Sequence, residues 1–179
     1  MHVNKMAIVA MTMIAVTLGV SDGHAEKKMD MDRVNFDGDG FSLLLPVEWA
    51  TKRQDMPLFS LFTCVQTDEK TNPKPLATIS LMFGRKEEGH ENFMSKVLES
   101  ITKTELSDRG KVTIKKKKGT LVGEWVQFSQ QVKTDDTTVR VCFFDDTTQV
   151  FIIICQAPST QYETYAAMFQ QIGESLIIE

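Results

Sequence analysis

The sequence predicts an α+β fold: a mainly antiparallel sheet of about six to seven strands covered by two main helices, at about 90–106 and 159–174. Three observations carry this expectation. Strand-type segments come in groups, with helices inserted between groups, as in α+β domains. Turn residues at hairpin spacing link most of those segments. Helical periodicity occurs in only two places, once mid-chain and once near the end.

The chain opens with an export signal pattern. Lys5 precedes an uncharged, mostly apolar run from Met6 to Val20, and small residues follow at Gly23 and Ala25. This is the order of a cleavable secretory signal over residues 1–25, with cleavage near Ala25. The run is about 15 residues, shorter than the roughly 20 needed to span a bilayer as a helix. No later apolar run reaches spanning length, so no stable membrane insertion is expected after cleavage. Residues 26–32 are charged and read as a loose segment, leaving 33–179 as a single domain of ordinary size. The expected location is periplasmic or secreted. The net charge is −4, which disfavours nucleic acid as a partner.

Within the domain, Val34 and Phe36 alternate with polar residues, and Asp37-Gly38-Asp39-Gly40 is turn chemistry. Phe41 to Leu45 resumes a strand that Pro46 ends, and Trp49 follows. Leu58–Gln66 is a further strand-type run. Asn72-Pro73-Lys74-Pro75 reads as a loop before Leu76–Phe83, which alternates with period two. Phe93, Val97, Leu98 and Ile101 then share one helical face, with Glu87, Glu88 and Glu91 at its start. Lys111–Lys117 turns through Lys118-Gly119 into Thr120–Val132. Asp135-Asp136 and Asp145-Asp146-Thr147-Thr148 flank two more strands. These last strands are apolar on both faces, which places them mid-sheet. Pro158 and Ser159 open a final helix with Tyr162, Tyr165, Ala166, Met168, Phe169 and Ile172 on its apolar side.

Two short motifs bracket this domain. Gly40-Phe41-Ser42-Leu43-Leu44-Leu45-Pro46-Val47-Glu48-Trp49 opens it, and Tyr162, Tyr165 and Phe169 run into Ser175-Leu176-Ile177-Ile178 at the end. With this order of elements, the chain resembles the PsbP-like fold, which includes PsbP, the Ran-binding import factor Mog and the bacterial DcrB-like periplasmic proteins. The resemblance covers most of residues 34–178, and its motifs mark a strand end and a helix face. It implies a non-enzymatic binding module, since the family holds photosystem accessory proteins, a GTPase-release factor, and secretion-system adaptors or immunity proteins. A shared fold names no partner.

Few residues suggest chemistry. After signal removal His90 is the remaining histidine, at the polar start of the mid-chain helix. A zinc site built on histidines is excluded by count. Cys64, Cys142 and Cys155 each lie within an apolar strand-type run, and the sequence leaves their pairing open. The offset between Cys142 and Cys155 on consecutive hairpin strands argues against a bond between them. Asn35, Asp37 and Asp39, followed by Gly40, match the early positions of an EF-hand loop and are calcium candidates. Pro46 stands where that loop needs a bidentate Glu and strands, not helices, flank it, so a hairpin turn with exposed acids is the favoured reading. Lys115–Lys118 form a basic run at a hairpin end, read as an anion site or as lysines that protect a strand edge. There is no Gly-rich phosphate loop, G-x-S-x-G elbow or H-E-x-x-H.

The expectation is therefore an exported, non-enzymatic protein-binding module without a cofactor, such as a periplasmic immunity or adaptor protein of a bacterial secretion system. The alternatives are a periplasmic small-ligand or calcium-binding protein, and a hydrolase with an unrecognised site.

Overall fold

A computed structural model describes residues 29–57, 59–68, 72–86, 97, 99, 101, 104–132 and 135–179. The signal segment 1–25, His90 and most of the expected helix at 90–106 lie outside these residues. Ten strands form one sheet: β1 (Met31–Phe36), β2 (Phe41–Pro46), β3 (Ala50–Asp55), β4 (Ser60–Asp68), β5 (Asn72–Arg85), β6 (Asp108–Lys116), β7 (Thr120–Val132), β8 (Asp135–Asp145), β9 (Gln149–Pro158) and β10 (Ile177–Ile178). One helix, α1 (Tyr162–Glu174), completes the continuous elements among the described residues. Their spatial order is β1-β2-β10-β6-β7-β8-β9-β5-β4-β3.

This corrects the expected architecture. The fold is predominantly β, with ten strands instead of six to seven, and among the described residues one continuous helix packs on the sheet instead of two. It is mixed, because β10 pairs antiparallel with β2 and parallel with β6. Two strands escaped the sequence pattern for physical reasons. All six residues of β3 are exposed, so this edge strand shows no apolar alternation. β10 has two residues, too few for any period. The segment 72–75, expected as a loop, begins β5. The final helix starts at Tyr162, later than 159, because β9 runs on through Pro158, which pairs with Thr137. Of 90–103, only Val97, Glu99 and Ile101 are described. Each is helical.

The strand period of two divides the core. On β9, Phe151, Ile153, Cys155 and Ala157 face one way, into a cluster with Phe41, Leu43, Ile114 and the α1 residues Tyr162, Tyr165, Phe169 and Ile172. Ile152 and Ile154 face the other way, with Val126, Phe128, Val139, Val141 and the helical residues Val97 and Ile101. β8 and β9 are thus buried on both faces and lie mid-sheet, as their sequence implies. Gly173 lets α1 approach closely, since a Cβ there would fall 2.7 Å from Cys142 Sγ.

The sheet curls so that its two ends meet. Phe36 stacks on Phe41 with centroids 4.5 Å apart and meets Phe62 edge-on at 5.1 Å. Phe41 also packs against Phe83 and Phe151. Arg53 on edge strand β3 donates to Asp39 in the β1–β2 turn at 2.7 Å and lies over the Phe83 ring.

β10 is delivered by the end of α1, and Ser175 fixes the delivery. Its hydroxyl donates to the Ile172 carbonyl at 2.8 Å and accepts the Leu44 N–H at 3.0 Å. Arg33 donates to the Ser175 carbonyl at 3.0 Å. Leu176 is fully buried next to it. Ser175→Ala should leave the Leu44 N–H without its acceptor and cost about 1–2 kcal/mol in urea unfolding.

Candidate functional site

Three turns and the tail converge at one end of the sheet. The β1–β2 turn needs positive φ at Gly38 (87°) and Gly40 (74°), a conformation glycine adopts freely. The β6–β7 turn uses Gly119 in the same way (φ 91°). In the β8–β9 turn, Asp146 N–H donates to the Gln149 carbonyl at 2.9 Å. The tail joins two of these turns: Lys117 N–H donates to Ile178 O at 2.8 Å, and Glu179 N–H to Gly40 O at 2.9 Å. Gln149 Nε2 donates to Asp39 O at 2.9 Å. Between the turns lies a solvent-open cleft of about 320 Å³, lined by Gly40, Lys116, Lys117, Asp146, Gln149 and Ile178 among others.

The charges of this end are partly paired. Lys116 Nζ contacts Asp146 Oδ1, and Lys86 contacts Asp145. The Asp146 side chain is only 7% exposed and that of Lys116 is 26% exposed. Burial opposes ionisation of Asp146. The Lys116 ammonium and the Thr147 backbone outweigh it, so the carboxyl is held below its ordinary range. Lys117 and Lys118 are exposed at the tip. The acidic turn 145–146 therefore neighbours the lysine run. Asp135 and Asp136 begin β8 at the opposite end of the sheet.

The calcium candidates are placed in β1 and its turn. Asn35 and Asp37 are exposed, while the Asp39 carboxylate accepts from Arg53. Among the described residues, no three His, Cys, Asp or Glu side chains converge as a metal site would require.

All three cysteines are free, buried and on the face that α1 covers. Cys64 pairs in register with Ile79, Ile79 with Cys155, and Cys155 with Arg140. β5 thus separates Cys64 from Cys155. Cys142 lies opposite Ile153, two positions from Cys155. Burial pushes the Cys64 thiol up to about 12 and Cys142 up to about 11, and holds Cys155 well above its ordinary value. Tyr162 is also raised by burial, and its hydroxyl donates to Gln127 Oε1 at 2.9 Å.

No family model matches the sequence, and no curated protein matches it. Solved structures do resemble it. Cyanobacterial PsbP (CyanoP) from Synechocystis sp. PCC 6803 is 14% identical with a TM-score of 0.52, over 90% of this chain and 99% of that one. LpqN of Mycobacterium tuberculosis, described as involved in cell envelope biogenesis, is 12% identical with a TM-score of 0.51, over 86% of this chain and 92% of that one. The fold is PsbP-like.

Within this PsbP-like fold, the two sequence motifs meet. Trp49 of the opening motif packs edge-on against Tyr165 of the closing helix, with centroids 6.3 Å apart. Gly40 of the opening motif accepts from Glu179, just beyond the closing one. The sequence marked the lysine run and both neighbouring acidic turns, but not their convergence. It also gave no sign of Gln149 or of the Trp125–Arg140 pair, in which Arg140 lies 3.7 Å from the Trp125 ring centroid. Isolated Gln, Trp and Arg residues in strands carry no spacing signal.

Lys116→Ala leaves a nearly buried carboxylate without its ammonium and should cost about 1–3 kcal/mol at neutral pH. Asp146→Asn leaves a lysine that can turn to water and should cost less. Because the folded Asp146 value is depressed, its contribution is present above the unfolded value of about 3.9 and lost as pH falls through the lower folded value. Urea unfolding at pH 7 and pH 3 should therefore show a smaller acid loss in Asp146→Asn than in the natural protein. For the thiols, iodoacetamide at neutral pH should leave all three cysteines unmodified in the folded chain and label them in urea, read by intact mass.

Proposed function

We propose that the chain is exported through its 1–25 segment to the periplasm or cell exterior and acts there without catalysis, binding another protein as an immunity or adaptor module does. The observation that carries this reading is the separation of its chemistry. The thiols lie on core-facing strand positions where burial favours their neutral form, the opposite of an activated nucleophile. Charged side chains instead gather around the open cleft at the turn end, with Lys117 and Lys118 outermost. Such a rim suits recognition of a partner surface, where charge governs encounter and specificity.

The fold likeness to LpqN, described as involved in cell envelope biogenesis, supports an envelope setting. Among the described residues, no helix is long and apolar enough to cross a membrane, which is compatible with a protein freed from its signal.

Affinity capture with residues 26–179 from the envelope of the producing cell, read by mass spectrometry, tests the proposal. One dominant protein is expected. Lys117→Glu with Lys118→Glu should weaken its binding by about tenfold or more, a loss of roughly 1.4 kcal/mol. Repeated captures without a specific protein would count against the module, and a partner indifferent to both lysines would move its surface elsewhere.

A further inference from the structure

Arg140 is a charged residue on the largely apolar face that α1 covers, where Lys116 of β6 is paired with Asp146. It lies on β8 in register with Gln127 of β7 and Cys155 of β9, and points to the α1-covered side with Cys142 and Phe144. The residue is half-buried. Its Nε is sealed from solvent and has no hydrogen-bond partner. Among the described residues, no carboxylate lies within ion-pair distance of its guanidinium.

The surroundings hold the guanidinium in place without balancing its charge. Its carbon is 3.7 Å from the Trp125 ring centroid. Trp125 is backed by Gly110, where a Cβ would fall 2.7 Å from indole Nε1. The ring therefore has a fixed seat, and the absence of a side chain at 110 creates it. The close neighbours of Arg140 are Gln127, whose amide oxygen accepts from Tyr162, and the buried thiols of Cys142 and Cys155, while Glu174 and Glu163 of α1 also bear electrostatically on Cys142 and Tyr162. Stacking on an indole offsets part of the desolvation of a cation, but a planar guanidinium also offers several N–H donors that a ring cannot satisfy. Among the described residues, Arg140 is the cation that Cys142, Cys155 and Tyr162 all feel.

We propose that Arg140, seated on Trp125, is a recognition point for a carboxylate. A carboxylate is planar and matches the paired terminal Nη N–H donors of the guanidinium, the Nε being sealed from solvent. It also carries one negative charge, which balances the single cation. A phosphate dianion would bring surplus charge to a face that offers no second cation to Cys142, Cys155 or Tyr162 among the described residues. This goes beyond the protein-binding reading and does not depend on the turn-end cleft.

The test is a titration of 15N-labelled residues 26–179 at constant ionic strength, following the Trp125 indole N–H. The probes are benzoate, a short peptide with a free C-terminus, the same peptide amidated, phosphate and chloride. A saturable shift with benzoate or the free-acid peptide, and none with the amidated peptide, phosphate or chloride, is expected. Whichever free acid binds more tightly distinguishes a small acid from a protein C-terminus. Arg140→Gln should weaken the carboxylate by about tenfold or more, and Arg140→Lys should fail to restore it fully. No saturable carboxylate response in the natural protein would overturn the proposal, whether or not the variants fold. An equal response to phosphate or to the amidated peptide would also overturn it.

Discussion

The insertion of two residues, Ile177 and Ile178, between β2 and β6 is the constraint on which the sheet depends. Without β10, the first hairpin has no backbone ladder to the remaining strands in the observed order. β10 follows every other described element in the chain. α1 controls it: the helix is seated by Tyr162, Tyr165, Phe169 and Ile172, and Ser175 then sets the direction of exit. Closing the sheet therefore couples the chain's first strands to its last, a contact of high sequence separation whose loop-closure entropy has to be met by side-chain burial. The fully buried Leu176 and the Phe36–Phe41–Phe83–Phe151 aromatic group supply that burial.

The same constraint shapes the turn end of the sheet. Lys117 and Gly40 belong to different hairpins, and they line one cleft because Ile178 and Glu179 hydrogen-bond to both turns. The acidic turn 37–40 acquires a structural task in this setting. Its Asp39 carboxylate reaches Arg53 on the far edge strand, and its carbonyl accepts from Gln149. An exposed ion pair of this kind contributes little by itself. Its consequence is positional, since it joins the two edges of a curled sheet beside the cleft.

How much of this was legible follows from where the information lies. Buried strands are written in their own residues: β5, β8 and β9 carry apolar side chains at two-residue spacing, so their existence and central position could be read directly. Hairpin partners were legible from Lys118-Gly119 and Asp145–Thr148. β3 could not be read, because an exposed edge is selected for polarity, and Ala50–Asp55 satisfies that without alternation. β10 could not be read because its strand character comes from its neighbours. The Ser175–Ile178 motif was visible as a pattern, yet its meaning required knowing that Leu44 and Lys117 would flank it. The cleft was legible only as scattered charges, since sequence order says nothing about which turns share an end of the sheet.

The interior of this PsbP-like sheet is largely apolar. Two-sided burial of β8 and β9 fills both faces with apolar side chains, and the polar groups that enter are neutral and held in place. Cys142 lies under Gly173, Tyr162 is bonded to Gln127, and Cys155 sits next to Ile79 and Arg140. Desolvation favours the neutral form of each titratable group among them. The exception therefore carries more weight than it would on an open surface. The Arg140 guanidinium brings several N–H donors to this face, more than an aromatic ring can satisfy. Stacking on Trp125 and a partly exposed tip are the means of tolerance visible in the fold. A neutral glutamine or methionine would fill β8 position 140 without either, and the seat that Gly110 provides for Trp125 would then serve no cation.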